Sequence, residues 1–486
     1  MDWLDDLAAR VGSGPQVVND SKTPSGTVHV GSLRGPVLCD AIWRALRERG
    51  IAVHFLYGVE DLDPMDNQAL LSGDAVERYM GAPLANVPAP PGSVEPSYAR
   101  EFMRLFLGTF AGLGIRPEVY WMSELYASGA MDPYIRLVLD RADRVRTIYE
   151  RVARVRHPAS WHPVSVVCER CGKVGTTIVT AWDGERVRYE CRPDLVTWAR
   201  GCGESGWVSP FGGRAKLPWN IEWAAQWSHF GVTIEPSGKD LSTAGGSRDR
   251  SEAIAREVFE REPPLNVPYE FVNVGGKKMS TSKGRGVAAH RIAEVVPPEQ
   301  LRFLFLRHRP NQVIDFEPEG TDAIPRLFDE FDRLAAATAG VLVKGELPAG
   351  YERIFRLSLV DPDADPEAEA AAYRPPFRHL ALLVQISGVD IAARVEAEKG
   401  APLTERERAI LEERVRAARA WLATYAPPSE RLEVRREALP AEAADLDPEQ
   451  RRFLGLLAEA AERERPASGD AWQATIFSVA AEAGLP

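Results

Sequence analysis

The sequence predicts an α/β protein with a doubly wound parallel sheet, interrupted by a β-rich insertion and followed by an all-α C-terminal part. Short apolar runs alternate with helix-period segments over most of the first 290 residues, which is the pattern of successive βα units. Composition changes near 157, and from Val164 to about Trp207 β-forming residues alternate with glycine and cysteine. Beyond 290 the strand patterns stop, and helical periodicity continues.

The first βα unit consists of a predicted strand at 16–20 and a predicted helix at 31–49. Six apolar residues fall on one face of that helix: Leu33, Val37, Leu38, Ile42, Ala45 and Leu46. The turn between them runs from Pro24 to Ser32 and contains small residues and one histidine, His29. Small residues allow close backbone approach, and a helix start offers unpaired N–H groups to an anion. The turn is therefore predicted to bind a phosphate group.

The later elements continue the pattern. Further strands are predicted at 52–57, 118–121, 232–234 and 269–274. Further helices are predicted at 97–113, 134–153, 220–230, 248–260, 299–308 and 322–340. Thr404 with Glu407 forms a capping box, and 447–450 is a second helix start. The acidic stretch 361–369 is predicted to be a linker or a solvated loop.

Two features beside the predicted sheet concern ligand binding. Asp61 and Asp63 follow the second strand, at the carboxyl end where open α/β sheets bind ligands. A carboxylate there either receives an amino group of a substrate or caps the loop, and the sequence leaves both roles open. Trp219, Trp223 and Trp227 recur on one helix face, a pattern more typical of a core than of a binding platform.

Composition limits the class of protein. A length of 486 residues is enough for about three domains, and 45% apolar residues allow a core of normal size. The net charge of −11 argues weakly against a dedicated nucleic-acid coat protein, but it does not exclude a local basic surface. No apolar run approaches the ~20 residues of a membrane helix, and the acidic start lacks a signal-peptide pattern. A cytoplasmic protein without membrane contact is expected.

The five cysteines suit a reducing compartment, because four of them are grouped. The group, Cys168, Cys171, Cys191 and Cys202, predicts a structural Zn²⁺ site, since four thiolates close a tetrahedral coordination sphere. The alternatives are a degenerate site without metal or one completed by His162. The fifth cysteine, Cys39, lies on the helix after the opening turn and is predicted to be a core thiol.

A second phosphate-binding segment lies at 277–284, where three lysines and three hydroxyl residues stand between glycines. Lysine ammonium groups neutralise the β- and γ-phosphates of a nucleotide as pyrophosphate leaves. Lys22 and Arg34, which flank the opening turn, are predicted to be solvated at the surface rather than to contact phosphate.

These segments carry a family resemblance. His29-Val30-Gly31-Ser32 resembles the HIGH signature of class I aminoacyl-tRNA synthetases, and the segment 278–282 resembles their KMSKS signature. Within that class, the segments 23–26, 235–240 and 268–271 resemble the class I lysyl-tRNA synthetases. The similarity extends from about residue 20 to 320, and more faintly through the helical C-terminal part.

The resemblance implies a fold and an activity. The expected fold is a Rossmann-like doubly wound parallel sheet with a zinc-type β insertion, followed by an all-α domain. The expected reaction uses ATP and Mg²⁺ to attach lysine to tRNA through a lysyl-adenylate. The resemblance also implies a division into domains. The catalytic domain would have two parts, 1–150 and 216–290, of which the second contains the KMSKS-like loop. The connective insertion would be 151–215, a helical junction of stem-contact type 291–340, and a helical domain of anticodon-binding type 341–486.

The resemblance also implies roles for single residues. The catalytic residues would be His29, Ser32, Lys278 and Lys283. ATP would be bound by Pro24, Gly31, Gly238, Asp240, Met279, Ser280 and Ser282. The amino-acid pocket would be lined by Ser25, Gly26, Asp61, Trp223, Leu241 and Tyr269.

Several positions depart from the family pattern. Ser32 stands where the family has Asn or His, Thr281 takes the fourth place of the KMSKS-like segment, and Glu222 replaces an expected Asp. Leu241 stands where the family usually has a histidine, which removes a hydrogen-bonding group from the pocket. Relatives continue for several helical turns beyond Pro486, so the chain is either naturally short or truncated, which bears on anticodon recognition. Two alternatives follow, a synthetase paralogue with another amino acid or acceptor, and a non-catalytic tRNA-binding relative.

Overall fold

The computed structural model describes residues 2–66, 71–279, 286–432 and 439–485. The chain divides into two compact units, Met1–Pro428 and Ser429–Pro486. The predicted domain boundaries after residues 150, 215, 290 and 340 all fall inside the first unit, and the end of that unit falls inside the predicted C-terminal domain. The finer domain assignment stays a prediction.

The strands of the described residues are two to seven residues long. They are β1 (Gln16–Lys22), β2 (Val53–Val59), β3 (Glu118–Trp121), β4 (Ser165–Val166), β5 (Thr177–Trp182), β6 (Val187–Cys191), β7 (Ser205–Val208), β8 (Ala215–Lys216), β9 (Ile234–Gly238), β10 (Leu265–Tyr269), β11 (Val272–Val274), β12 (Lys277–Lys278) and β13 (Ile314–Asp315).

The helices connect the strands and then continue without them. They are α1 (Asp2–Arg10), α2 (Arg34–Glu48), α3 (Asp74–Tyr79), α4 (Tyr98–Gly112), α5 (Met122–Ala127), α6 (Asp132–Asp140), α7 (Ala142–Ala153), α8 (Trp219–Phe230), α9 (Ser247–Glu257), α10 (Ala289–Ala293), α11 (Pro298–Leu306), α12 (Ala323–Thr338), α13 (Tyr351–Ser358), α14 (Pro366–Ala371), α15 (Phe377–Leu383), α16 (Ile391–Lys399), α17 (Glu405–Thr424), α18 (Pro448–Glu464) and α19 (Gly469–Ala483). Short 3₁₀ turns lie at Val30–Leu33, Leu84–Asn86, Pro428–Glu430 and Ala441–Asp445.

Within the described residues, the central sheet has the strand order β10-β9-β1-β2-β3, and its neighbouring strands run parallel. Val18 of β1 pairs with Phe55 on one side and with Ile234 on the other. The order of strands therefore reverses between β1 and β9, which is the topological switch point where doubly wound sheets bind ligands. The predicted doubly wound parallel sheet is confirmed.

Helix α2 packs its predicted apolar face against this sheet. Val37, Leu38, Ile42, Ala45 and Leu46 are all buried, as the 3.6-residue period requires. The single helix predicted at 31–49 is divided, however, because Val30–Leu33 forms a 3₁₀ turn before α2 begins. Cys39 of α2 is a buried free thiol, as predicted.

The insertion is antiparallel, in contrast to the parallel central sheet. β5, β6 and β7 form a three-stranded sheet, and β4 pairs with β8. The predicted β insertion is therefore confirmed. Its apolar side packs with α6 to α9 in one core cluster that includes Ile148, Val179 and Trp227.

Several predictions about secondary structure are wrong. The single helix predicted at 134–153 is divided into α6 and α7, and the strand predicted at 232–234 begins only at Ile234. The strand predicted at 269–274 is interrupted, because β10 ends at Tyr269 and β11 begins at Val272. Strands do not stop at 290, since β13 pairs in parallel with β11. The acidic stretch 361–369 contains a helix start, because the Asp365 carboxylate accepts hydrogen bonds from the first backbone N–H groups of α14.

Helices α11 to α17 share an apolar core with α2, so this part of the first unit is built directly on the central sheet. The capping box of Thr404 and Glu407 at α17 is confirmed. In the second unit, α18 and α19 pack against each other, and Asp447 with Gln450 caps α18 as predicted. Among the described residues, no helix is long and apolar enough to cross a membrane.

Candidate active site

A cavity of about 470 Å³ opens at the carboxyl ends of β1, β9 and β10. It therefore occupies the switch point of the sheet. Residues predicted to be catalytic or to bind ATP or the amino acid line it together: His29, Gly31, Ser32, Trp223, Gly238, Asp240, Leu241, Tyr269 and Met279.

Beside this cavity, the HIGH-like turn contacts the described residues before and after the KMSKS-like segment. Val30 N–H donates to the Val287 carbonyl at 2.7 Å, and Ala289 N–H donates to the Val28 carbonyl at 2.9 Å. A Cβ added to Gly31 would lie 3.0 Å from the Cβ of Val272, so this glycine lets the turn pack against β11. The turn is thus held by backbone hydrogen bonds to residues after the KMSKS-like loop, and it packs against the Val272 side chain before the loop.

Several predicted residues lie outside the described residues. Ser280, Ser282 and Lys283 fall in the segment 280–285, and of Lys278 only the backbone is described, within β12. Their predicted roles stay predictions. The buried side chain of Met279 follows directly and lines the cavity.

The first residues of the opening turn do not line the cavity. Pro24, Ser25 and Gly26 are absent from its lining, and Gly26 has a φ of 141°, which a side chain would strain. They shape the turn that presents His29, and their predicted contacts with ATP and the amino acid stay predictions.

Asp61 caps the loop after β2, which is one of the two roles that the sequence left open. Its buried carboxylate accepts hydrogen bonds from the backbone N–H of Ser123 at 2.8 Å and from the Ser123 hydroxyl at 2.5 Å. Burial raises the pKa of Asp61, while these donors oppose the rise. It ties the loop after β2 to the start of α5 and does not line the cavity.

Arg34 is buried and not solvated at the surface, so that prediction is wrong. Its side chain is fully buried, and its guanidinium donates to backbone carbonyls of Glu270 at 2.7 Å and Gln312 at 2.8 Å, among others. Burial lowers the pKa of Arg34 to about 10, which leaves it charged at neutral pH. The residue clamps the first turn of α2 to the chain on either side of the KMSKS-like region.

A cluster of acidic residues lies next to the cavity, and the sequence did not predict that these residues come together. The ammonium of Lys216 lies 2.5 Å from Glu222 and 3.1 Å from Asp63, and both Lys216 and Glu222 are buried. Glu60 lines the cavity and accepts a hydrogen bond from the Gln226 amide at 2.9 Å. Burial raises the pKa of Glu60 well above its ordinary value, and the charge of Glu222 raises it further. The cluster holds three carboxylates against one ammonium group.

The tryptophan stripe serves both core and cavity. Trp223 and Trp227 donate their indole N–H groups to the buried carboxylate of Glu235, at 2.7 and 2.5 Å. The Arg248 guanidinium lies over the Trp227 ring, 4.6 Å from its centroid. Trp227 is fully buried, as a core residue should be, whereas Trp219 is 42% exposed and lines the cavity with Trp223.

The four grouped cysteines come together as the sequence predicts. Their sulfur atoms all lie within 4.8 Å of one another, with Cys168 and Cys202 3.6 Å apart and Cys171 and Cys191 3.7 Å apart. Zn–S bonds of about 2.3 Å in a tetrahedron require sulfur atoms about 3.8 Å apart, so the donor set fits a zinc ion. His162 is not part of the group, and its Nδ1 faces the carbonyl of Ser160 at 3.0 Å.

A doubly wound sheet with the HIGH-like turn and Met279 of the KMSKS-like segment at its switch-point cavity defines a catalytic domain of the class I synthetase type. Comparison with protein families agrees, because residues 1–360 match the family described as tRNA synthetases class I (K). The chain belongs to this family.

Curated relatives cover almost the whole chain. It is 33% identical over 481 residues to a lysine–tRNA ligase of Methanosarcina barkeri, which is 98% of this chain and 85% of that protein. It is 34% identical over 464 residues to a lysine–tRNA ligase of Archaeoglobus fulgidus, covering 94% and 87%. Among solved structures, Mycobacterium tuberculosis methionyl-tRNA synthetase with methionyl-adenylate matches at a TM-score of 0.40 and 15% identity, over 96% of this chain and 88% of that one.

Proposed function

We propose that this protein attaches lysine to tRNA in two steps, through a lysyl-adenylate formed from ATP. One observation carries the proposal: His29, Gly31 and Ser32 of the HIGH-like turn line one cavity together with Met279 of the KMSKS-like segment. The names of the relatives, lysine–tRNA ligases, support lysine as the amino acid.

In the first step, the lysine carboxylate attacks the α-phosphorus of ATP, and pyrophosphate leaves. His29 and Ser32 line the cavity and donate hydrogen bonds to the α-phosphate as its charge develops. Lys278 and Lys283 neutralise the leaving pyrophosphate, and Mg²⁺ accompanies the nucleotide. Gly238 and Asp240 hold the ribose: a Cβ on Gly238 would lie 2.9 Å from the Asp240 carboxylate, so a side chain there would crowd it.

In the second step, a hydroxyl group of the 3′-terminal ribose of tRNA attacks the adenylate carbonyl, and AMP leaves. Helices from α13 onward are the proposed anticodon-binding part. The cysteine cluster holds a structural Zn²⁺ and takes no part in the chemistry, because four thiolates leave no open coordination position. We infer a cytoplasmic location from the family.

Pyrophosphate exchange with each proteinogenic amino acid, in the presence of tRNA, tests the proposal. Lysine-dependent exchange followed by charging of tRNA with lysine is the expected result. Exchange with a different amino acid would identify a paralogue of altered specificity. Leu241 is the reason to test this outcome, because it lines the cavity where the family usually has a histidine. Binding of tRNA without any exchange would show that catalysis has been lost.

A further inference from the structure

One carboxylate at the cavity has no role in the proposed reaction. Asp20 stands near the end of β1 and lines the cavity. Its Oδ1 accepts a hydrogen bond from the backbone N–H of Ser21 at 2.9 Å. Within the described part of the chain, Oδ2 has no hydrogen-bond donor, and the carboxylate forms no ion pair.

Gly35 makes room for this carboxylate. A Cβ added to Gly35, in the first turn of α2, would lie 2.4 Å from Oδ2 of Asp20 and 3.1 Å from the hydroxyl oxygen of Tyr269. Any side chain at this position would therefore displace the carboxylate. The missing side chain leaves the Asp20 carboxylate and the Tyr269 hydroxyl side by side at the cavity wall.

The charges around the cavity compensate this group only in part. Asp63 is paired with Lys216, and Glu270 is paired with Lys239 at 2.5 Å. Asp20 forms no ion pair within the described residues, although the nearby charge of Lys22 opposes the rise of its pKa. A partly buried carboxylate without an ion-pair partner is unfavourable. A ligand that brings its own ammonium group would remove this cost.

We propose that Asp20, together with the Tyr269 hydroxyl, binds the side-chain ammonium of the amino acid and so selects substrates with a cationic side chain. The proposal rests on the proposed function and names the residue that gives it specificity. Tyr57 and Trp223 also line the cavity and provide apolar surface for a methylene chain. Burial raises the pKa of Asp20 to about 7, and an ammonium ligand would bring it down by favouring the charged form.

Asp20→Asn in the full-length protein tests the assignment through pyrophosphate exchange with lysine, ornithine, arginine and norleucine. Norleucine lacks the side-chain ammonium but keeps the α-ammonium. We expect kcat/KM for lysine to fall about 10²-fold, with little change for norleucine and in the KM of ATP. Folding should survive, because the amide removes a buried charge. Glu413→Gln is the matched control, because Glu413 of α17 is also a partly buried carboxylate but does not line the cavity; this variant should keep the lysine preference.

A double variant tests the position of the charge independently of the loss of Asp20. The 2.4 Å separation is close to that between Cβ and a carboxylate oxygen within one aspartate. Asp20→Ser with Gly35→Asp should therefore regain lysine preference over Asp20→Ser alone. If Asp20→Asn prefers lysine to norleucine as strongly as wild type does, or if it lowers kcat/KM equally for both amino acids, the assignment is wrong. If wild type activates ornithine or arginine but not lysine, the proposed function fails while the role of Asp20 stands.

Discussion

The Arg34 guanidinium donates to the backbone carbonyl of Glu270 at 2.7 Å, which joins the helix after the HIGH-like turn to the connection between β10 and β11. The same group also donates to carbonyls of Arg309, Pro310 and Gln312. A planar guanidinium serves several acceptors at once, whereas an ammonium group does not offer the same fork. One buried cation therefore adds to the backbone hydrogen bonds that hold the start of α2 and the opening turn against the chain around the KMSKS-like segment.

Arg34→Lys should lower both stability and adenylation. Loss of the fork leaves buried carbonyls without donors, which costs about 1–3 kcal/mol of unfolding free energy. Because the affected carbonyls flank β11, lysine-dependent pyrophosphate exchange should fall as well. Urea denaturation and exchange kinetics measure the two effects. Arg47→Lys, on the exposed end of the same helix, is the control, and equal behaviour of both variants would contradict the clamp.

Arg34 also shows which part of the site the sequence could not predict. Its partners are backbone carbonyls 236 to 278 residues away, and such acceptors have no sequence signature. The parallel sheet was predictable because alternating apolar runs and helical periods determine βα units locally. The cysteine cluster was predictable because its ligands are a distinctive residue type. Each of these signals is local or chemically specific, unlike the packing around Arg34.

Asp20 and Asp61 illustrate a second limit. Both are carboxylates near the carboxyl ends of central strands, and this position is a sound reason to expect a ligand. Yet Asp61 binds Ser123, whereas Asp20 faces the cavity. The difference depends on the absence of a side chain at Gly35, a tertiary contact that strand patterns do not contain.

The pKa of Asp20 predicts a pH dependence of stability. Folding raises this pKa from 3.8 to about 7 through burial and then through the charge of Glu235. Between these values the folded chain keeps a proton that the unfolded chain has lost, so unfolding free energy should fall as pH rises from about 4 to 7. Asp20→Asn should lack this part of the decline. Denaturation of both proteins across this range measures the difference, and parallel curves would contradict the raised pKa.

Lysine binding should show the matching proton release. An ammonium ligand favours the ionised carboxylate, so lysine affinity of the wild type should weaken below pH 7. Titration calorimetry in buffers of different ionisation enthalpy measures the released proton, which Asp20→Asn should not show. The other titratable and charged groups near Asp20 among the described residues are Lys22, Cys39, Tyr57, Tyr120, Glu235 and Tyr269. Burial raises the pKa values of the cysteine and the three tyrosines, so these four groups stay neutral across the range.

The cysteine cluster predicts stoichiometric zinc. Cys191→Ser should lose the metal, because three thiolates and a hydroxyl bind Zn²⁺ far less well than four thiolates. Metal analysis of the purified protein and melting curves with and without a chelator are the measurements. Cys39→Ser, a buried thiol outside the cluster, should retain full zinc content. Wild-type protein that is purified without chelator and contains no zinc would contradict the prediction.

His29 should act on the transition state more than on ATP binding. It belongs to the opening turn, lines the cavity where the α-phosphate is proposed to lie, and forms a β-bridge with Ala288, which follows the KMSKS-like loop. Removing a donor that strengthens only as charge develops costs about 10²–10³-fold in rate. His29→Ala should therefore lower the exchange rate by this factor, with a smaller change in the KM of ATP. His54→Ala, on an exposed position of β2, should exchange normally. A His29→Ala variant with near-normal turnover would mean that the α-phosphate is stabilised by other groups, and the proposed role of the HIGH-like turn would then be wrong.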